Sequence, residues 1–220
     1  MSLLPAVEIN PAGTPDATVI WLHGLGASGH DFEPIVPELG LPRGHRVRFV
    51  FPHAPNIPVT INQGMRMPAW YDILAMDLER KVDSAQLMAS AQAVHALVDA
   101  EVASGVAANR IVIAGFSQGG AVGYEAALTY PERLAGLLTL STYFATAQTL
   151  IASAASEGMP IEIHHGRNDP VVPEAMGQRA ADQLRALGYP VNYRRYTMEH
   201  AVCPAQIRDI GRWLTARLAP

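Results

Sequence analysis

Cysteine is almost missing: Cys203 is the only one in 220 residues. No intrachain disulfide can form, and the cysteine usage gives no reason to invoke an oxidising compartment. Charge is sparse as well, at 16% of residues, with a mildly negative net charge of −4. A nucleic-acid groove or an anionic membrane surface calls for a basic excess, so neither is an expected partner. No apolar run approaches the length of a membrane span, so no integral membrane segment is expected. Met1-Ser2-Leu3-Leu4-Pro5 lacks the basic and then apolar regions of a signal peptide. A cytoplasmic protein is the simplest expectation, and an export signal removed beforehand would leave the same chain. Internal repeats, low-complexity segments and linkers are also missing. What is present is 49% hydrophobic residues, an ordinary globular composition. The length suits a single domain over residues 1–220.

Short extended segments recur along the chain at Ala17–Leu22, Arg46–Phe51, Arg110–Ala114, Leu134–Leu140, Pro160–His164 and Val191–Tyr196, with the apolar pattern strongest in Ala17–Leu22 and Arg110–Ala114. Each reads as a strand, several of them buried on both faces. Helical spacing separates them. Asp83 reads as an N-cap, with Gln86 completing a capping box, and Leu87, Ala91, Val94, Val98 and Val102 form one apolar face that Gly105 ends. Helices are also expected from Ala121 to Tyr130, over Gln148–Ser156, and from Pro173 to Gly188 with Met176, Ala180, Leu184 and Leu187 inward. A last one starts at Pro204, with Ile207, Ile210, Leu214 and Leu218 facing inward. From His53 to Pro68 the chain is rich in proline and reads as a loop long enough to be functional. Strands alternating with helices predict an α/β fold, a mostly parallel central sheet with helices on both faces.

Gly115-Phe116-Ser117-Gln118-Gly119 lies between the Arg110–Ala114 strand and an alanine-rich helix. In that context Gly-x-Ser-x-Gly predicts a nucleophile elbow. The turn is so sharp that side chains at Gly115 and Gly119 would collide with backbone, and it pushes the Ser117 hydroxyl out of the sheet. A bare glycine-tolerant turn with an ordinary serine is the bland alternative. Serine needs a base. His200 lies on the loop after Val191–Tyr196, and Asp169 on the loop after Pro160–His164, both at strand carboxyl ends. Ser117, Asp169, His200 is the chain order of α/β-hydrolase triads.

Gly24, Gly26 and Gly29 follow a strand and spell G-x-G-x-x-G, a dinucleotide fingerprint. That reading needs an acidic residue at the end of the next strand, which instead ends in Pro52-His53, and Pro34 and Pro37 interrupt the helix it requires. An oxyanion loop fits better, with the Leu25 and Gln118 N–H groups holding a developing negative charge. No cofactor is expected. No metal is expected either: His164 and His165, consecutive on a strand, point to opposite faces. His23, His53 and His165 are read as loop-stabilising, and Cys203 as a small apolar side chain.

Six blocks then resemble, in order and over nearly the full length, the acyl-protein thioesterase/carboxylesterase (phospholipase/carboxylesterase) family, most of all its bacterial carboxylesterases. They are Leu22–Gly26, Phe51–Pro55, Met67–Asp72, Gly115–Gly120, His165–Pro173 and Met198–His200. The resemblance implies an α/β-hydrolase fold, Ser117, Asp169 and His200 as catalytic triad, and Leu25 and Gln118 as oxyanion hole. It implies that the loop around Met65 and Trp70 walls an acyl pocket, with Val172 as a further substrate-binding position. Where the family often carries a proline, this chain has Leu140-Ser141-Thr142-Tyr143-Phe144-Ala145, so Tyr143 or Phe144 either lines the pocket or belongs to the core. The function expected is a serine carboxylesterase acting on short- to medium-chain acyl esters, with a small-molecule ester or thioester as partner and a homodimer possible. An acyl-protein thioesterase or lysophospholipase acting on long acyl chains is the alternative. A non-catalytic ligand-binding module on the same scaffold is the second alternative.

Overall fold

The computed structural model describes residues 3–75 and 80–218. Its strands are β1 (Ala6–Ile9), β2 (Ala17–Leu22), β3 (Val47–Pro52), β4 (Asn56–Val59), β5 (Met65–Pro68), β6 (Ile111–Phe116), β7 (Gly136–Leu140), β8 (Ile161–Gly166) and β9 (Val191–Tyr196). The helices are α1 (Ser84–Ala103), α2 (Gln118–Thr129), α3 (Glu174–Ala186) and α4 (Pro204–Leu218), with a 3₁₀ segment at Glu33–Leu39. Seven strands form one sheet in the order β1-β3-β2-β6-β7-β8-β9. Only β1 runs antiparallel, against β3; every other pair is parallel.

The apolar runs form strands because both sheet faces are covered. Alternate residues serve the two sides. Ile20, Leu22, Ile111 and Ile113 pack with Leu87 and Val94 of α1, Val122 of α2 and Leu184 of α3. Val19, Trp21, Val112 and Ala114 pack on the other side with Ile35 and Leu39 of the 3₁₀ segment and Ile207, Ile210 and Leu214 of α4. Between β2 and β6 the order of connection reverses, because the chain leaves β2 for β3 on one side and returns to β6 on the other. The loops after these two strands diverge there, and such a crevice is where open α/β sheets bind ligands.

Several expectations need correction. β1 carries no strong apolar pattern and was not foreseen; an edge strand needs only one buried side. The proline-rich stretch is not a plain loop, since β4 and β5 pair as an antiparallel hairpin whose prolines Pro58 and Pro68 are tolerated in a two-stranded ribbon. Residues 148–156 form only a 3₁₀ turn at Ala154–Ser156. Leu187 is outside the α3 stripe, with 60% of its surface exposed. Asp83 does cap α1, accepting from the Gln86 N–H at 3.0 Å. The reciprocal half of the box is not made. The Asp83 N–H already donates to the Asp72 carbonyl, so the Gln86 side chain accepts from the Asp72 N–H instead, at 2.8 Å.

Candidate active site

The turn between β6 and α2 is tight because of what surrounds it. A Cβ on Gly115 would lie 2.4 Å from the Gly119 carbonyl oxygen, and one on Gly119 would lie 2.5 Å from that of His23. Ser117 between them takes φ 53° and ψ −120°, a conformation costly for a residue with a side chain. Two bonds hold it there. Its N–H donates to the Leu140 carbonyl at the end of β7 (2.9 Å), and its carbonyl accepts from the Thr142 hydroxyl (2.6 Å).

The loops after β8 and β9 bring the other two groups to this point. Their approach depends on Gly166, where a Cβ would lie 2.4 Å from the Glu199 carbonyl oxygen. His200 Nε2 is 3.0 Å from Ser117 Oγ, and His200 Nδ1 is 2.7 Å from Asp169 Oδ2. The other Asp169 oxygen accepts from the Val171 and Val172 N–H groups, both at 2.8 Å. Burial pushes the Asp169 carboxyl up, but the His200 bond and the two amides together outweigh it and hold the acid below its ordinary range. A carboxylate here fixes the proton on Nδ1 and leaves Nε2 to accept from serine.

The oxyanion loop leaves β2 through His23, whose ring is a strut. Its Nδ1–H donates to the Gly24 carbonyl (2.7 Å), and its Nε2 accepts from the Ala54 N–H (3.0 Å). Among the described residues, neither the Leu25 nor the Gln118 N–H donates to a protein acceptor, so both are available to a ligand oxygen. Beside them lies a cavity of about 250 Å³ lined by Leu25, Ile61, Ile73, Arg80, Phe116, Ser117, Tyr143, Val171 and His200.

The three residues expected to line an acyl pocket are not among those lining this cavity. Met65 starts β5 and is 65% exposed, away from the cavity. Trp70 is fully buried and braces the site from behind. Its indole N–H donates to the His23 carbonyl (2.8 Å), and its backbone N–H donates to the Gln118 side chain (2.8 Å). Val172 is buried in the core, and its neighbour Val171 faces the cavity. One residue of phase separates the two, because both amides turn inward to Asp169. Tyr143 lines the cavity, and the buried Phe144 ring packs at a tilt against Tyr124 with 5.0 Å between centroids, which divides the two alternatives. Arg80, Ile61 and Ile73 gave no pattern in the sequence. After β2 comes a 3₁₀ segment and no α-helix, so the glycine fingerprint lacks the helix a pyrophosphate would need. Among the described residues no group of three or more His, Cys, Asp or Glu side chains is placed to hold a metal ion.

A sequence profile described as phospholipase/carboxylesterase matches residues 5–218. The chain belongs to that family. Acyl-protein thioesterase 1 of Neurospora crassa is 40% identical, covering 98% of this chain and 91% of its own length. The crystal structure of Zea mays acyl-protein thioesterase 2 superposes with a TM-score of 0.87 at 30% identity, covering 98% of this chain and 99% of that one. The Bacillus cereus carboxylesterase shares the fold alone, with a TM-score of 0.80 at 16% identity over 98% and 95% of the two chains. This phospholipase/carboxylesterase-family member is therefore a serine hydrolase of the esterase/thioesterase type on an α/β-hydrolase fold. The relatives' names favour the thioesterase reading over the carboxylesterase one. No helix among the described residues is long and apolar enough to cross a membrane.

Proposed function

We propose that the protein is an acyl thioesterase that also cleaves oxyesters, with Ser117 as nucleophile, His200 as general base and acid, and Asp169 orienting the imidazole. The hydrogen-bonded chain Ser117 Oγ–His200–Asp169 is the observation that carries the reading. His200 Nε2 takes the serine proton as Oγ attacks the acyl carbonyl carbon. The oxygen of that carbonyl becomes anionic beside the Leu25 and Gln118 N–H groups, which stabilise it more than they stabilise the neutral carbonyl. Collapse breaks the C–S or C–O bond, and the thiol or alcohol leaves with the proton from His200. Water, deprotonated by the same nitrogen, attacks the acyl-enzyme, and the free acid departs as Ser117 regains its proton.

Preference for the thioester follows from the named relatives and from the weaker resonance of a thioester carbonyl, not from any group in the cavity. The test is hydrolysis of parallel acyl thioester and p-nitrophenyl ester series, acetyl to palmitoyl, by wild type and Ser117→Ala. The expected result is a higher kcat/KM on thioesters of the same acyl group, with turnover of both series reduced roughly 10⁶-fold in the variant. Turnover of oxyesters alone would return the carboxylesterase reading. No turnover, together with a serine that a phosphonate probe fails to label, would leave only a ligand-binding module.

A further inference from the structure

Arg80 stands out in the wall of the catalytic cavity. It is 8% exposed, and its backbone takes φ +44°, a left-handed conformation that a residue with a side chain adopts only when its surroundings enforce it. The guanidinium donates to the Val171 carbonyl and lies 5.2 Å from the centroid of the Tyr143 ring. Both partners are neutral. The Tyr143 phenol, hydrogen-bonded to that of Tyr71 at 2.8 Å, is pushed up by burial and stays protonated at neutral pH. Among the described residues no carboxylate is paired with Arg80. Asp31 also lines the cavity, but it is exposed and water screens its charge.

An arginine offers five N–H donors in a planar fork, always charged, and the protein occupies only part of that capacity. A buried cation without an anion is costly, and an aliphatic chain laid against it would remove its remaining water and give nothing back. A carboxylate would supply the missing charge and match the fork with two parallel hydrogen bonds. The cavity places this fork and Ser117 in one space whose walls between them include Ile61, Ile73 and Val171. We infer that Arg80 selects acyl groups ending in a carboxylate, so that the substrates are half-esters or half-thioesters of short dicarboxylic acids. The inference rests on the hydrolase reading of Ser117 and narrows its substrate class. The bonds made and broken are those of the reaction above; Arg80 exchanges no proton.

The test compares monoethyl succinate, glutarate and adipate with neutral esters in which an isopropyl group replaces the carboxylate, such as ethyl 5-methylhexanoate for the glutarate. Hydrolysis is followed by titrating the released acid. For the best chain length, wild type is expected to prefer the anionic ester by about 10-fold or more in kcat/KM, the size of one charge-assisted hydrogen bond. In Arg80→Met the ratio should fall to about one or below through KM for the anion, and Arg80→Lys should restore part of it. Arg80 also ties the Val171 loop, but a purely structural role lowers both esters together and leaves their ratio unchanged, which overturns the inference. So does a wild type that cleaves the neutral ester without favouring any anion, an outcome that leaves the proposed function standing. A wild type inert toward both kinds of ester, and toward the thioester series, overturns both.

Discussion

Asp169 divides its work between two oxygens, and that division makes one substitution unusually informative. Oδ1 takes the two loop amides and Oδ2 takes His200. Asp169→Asn can keep an oxygen for the amides while presenting an NH₂ to Nδ1. The imidazole must then carry its proton on Nε2, where it cannot accept from Ser117. Folding should be little changed and kcat should fall by about 10⁴-fold, read from steady-state kinetics beside a circular dichroism melt. Retained turnover in a well-folded variant would show that the tautomer is set elsewhere. At this scale the sequence showed whatever follows from strand ends: Ser117, Asp169 and His200 each come just after a strand of the sheet, and parallel pairing delivers all three to one edge. It could not show the pocket walls. Val171 and Val172 differ by which side of one loop they face, Trp70 is placed by bonds to residues 47 and 48 positions away, and Arg80 belongs to no periodic pattern.

Helix α4 lies against the 3₁₀ segment Glu33–Leu39 so closely that a Cβ on Gly211 would stand 1.7 Å from the Leu39 carbonyl oxygen. Backbone cannot swing aside as a flexible side chain would. Gly211→Ala should therefore push the helix off Ile35 and Leu39 and cost about 3 kcal/mol, despite the better helix propensity of alanine. Gly13→Ala, with nothing within 4 Å of the new methyl group, should stay within about 0.5 kcal/mol of wild type. Urea unfolding midpoints of the two variants check this, and equal midpoints would mean that α4 does not pack as described. Such a contact explains why elements were easier to read than their junctions. The stripe Ile207, Ile210, Leu214 announces a helix and its buried face, but nothing in a one-dimensional pattern says which backbone will touch Gly211. The same limit hid β1 and the β4–β5 hairpin. β1 is held by backbone pairing with the distant β3, and β4 and β5 by pairing with each other, none of them by an apolar run of its own.

Across the whole molecule, buried titratable groups squeeze stability from both ends of the pH scale. Burial lowers the pKa of His23 and of His165, each of which also gives its one ring proton to a backbone carbonyl. For His23 the second nitrogen already accepts the Ala54 N–H, so a second proton would have to break that bond. A base held low in the folded state is protonated first in the unfolded chain. Stability is thus lost as pH falls through about 6.5, where the unfolded chain takes up protons that the native state refuses. A second loss follows below about 4. Asp169, Glu162 and Asp209 are each pushed up by burial but more than compensated by their hydrogen bonds and held below the ordinary carboxylate range. At the alkaline end burial raises the phenols of Tyr71, Tyr124, Tyr143 and Tyr193, so the unfolded chain ionises first and stability falls above about pH 10. The expected profile is a plateau between about pH 7 and 10 with a fall on either side. Denaturant midpoints from pH 5 to 10.5 would trace it, and His165→Gln should flatten the limb between pH 7 and 5 while leaving the alkaline limb in place. A midpoint that does not move between pH 7.5 and 5 would mean that His23 and His165 accept protons in the folded protein, and the neutral strut that holds the oxyanion loop would have to be redrawn.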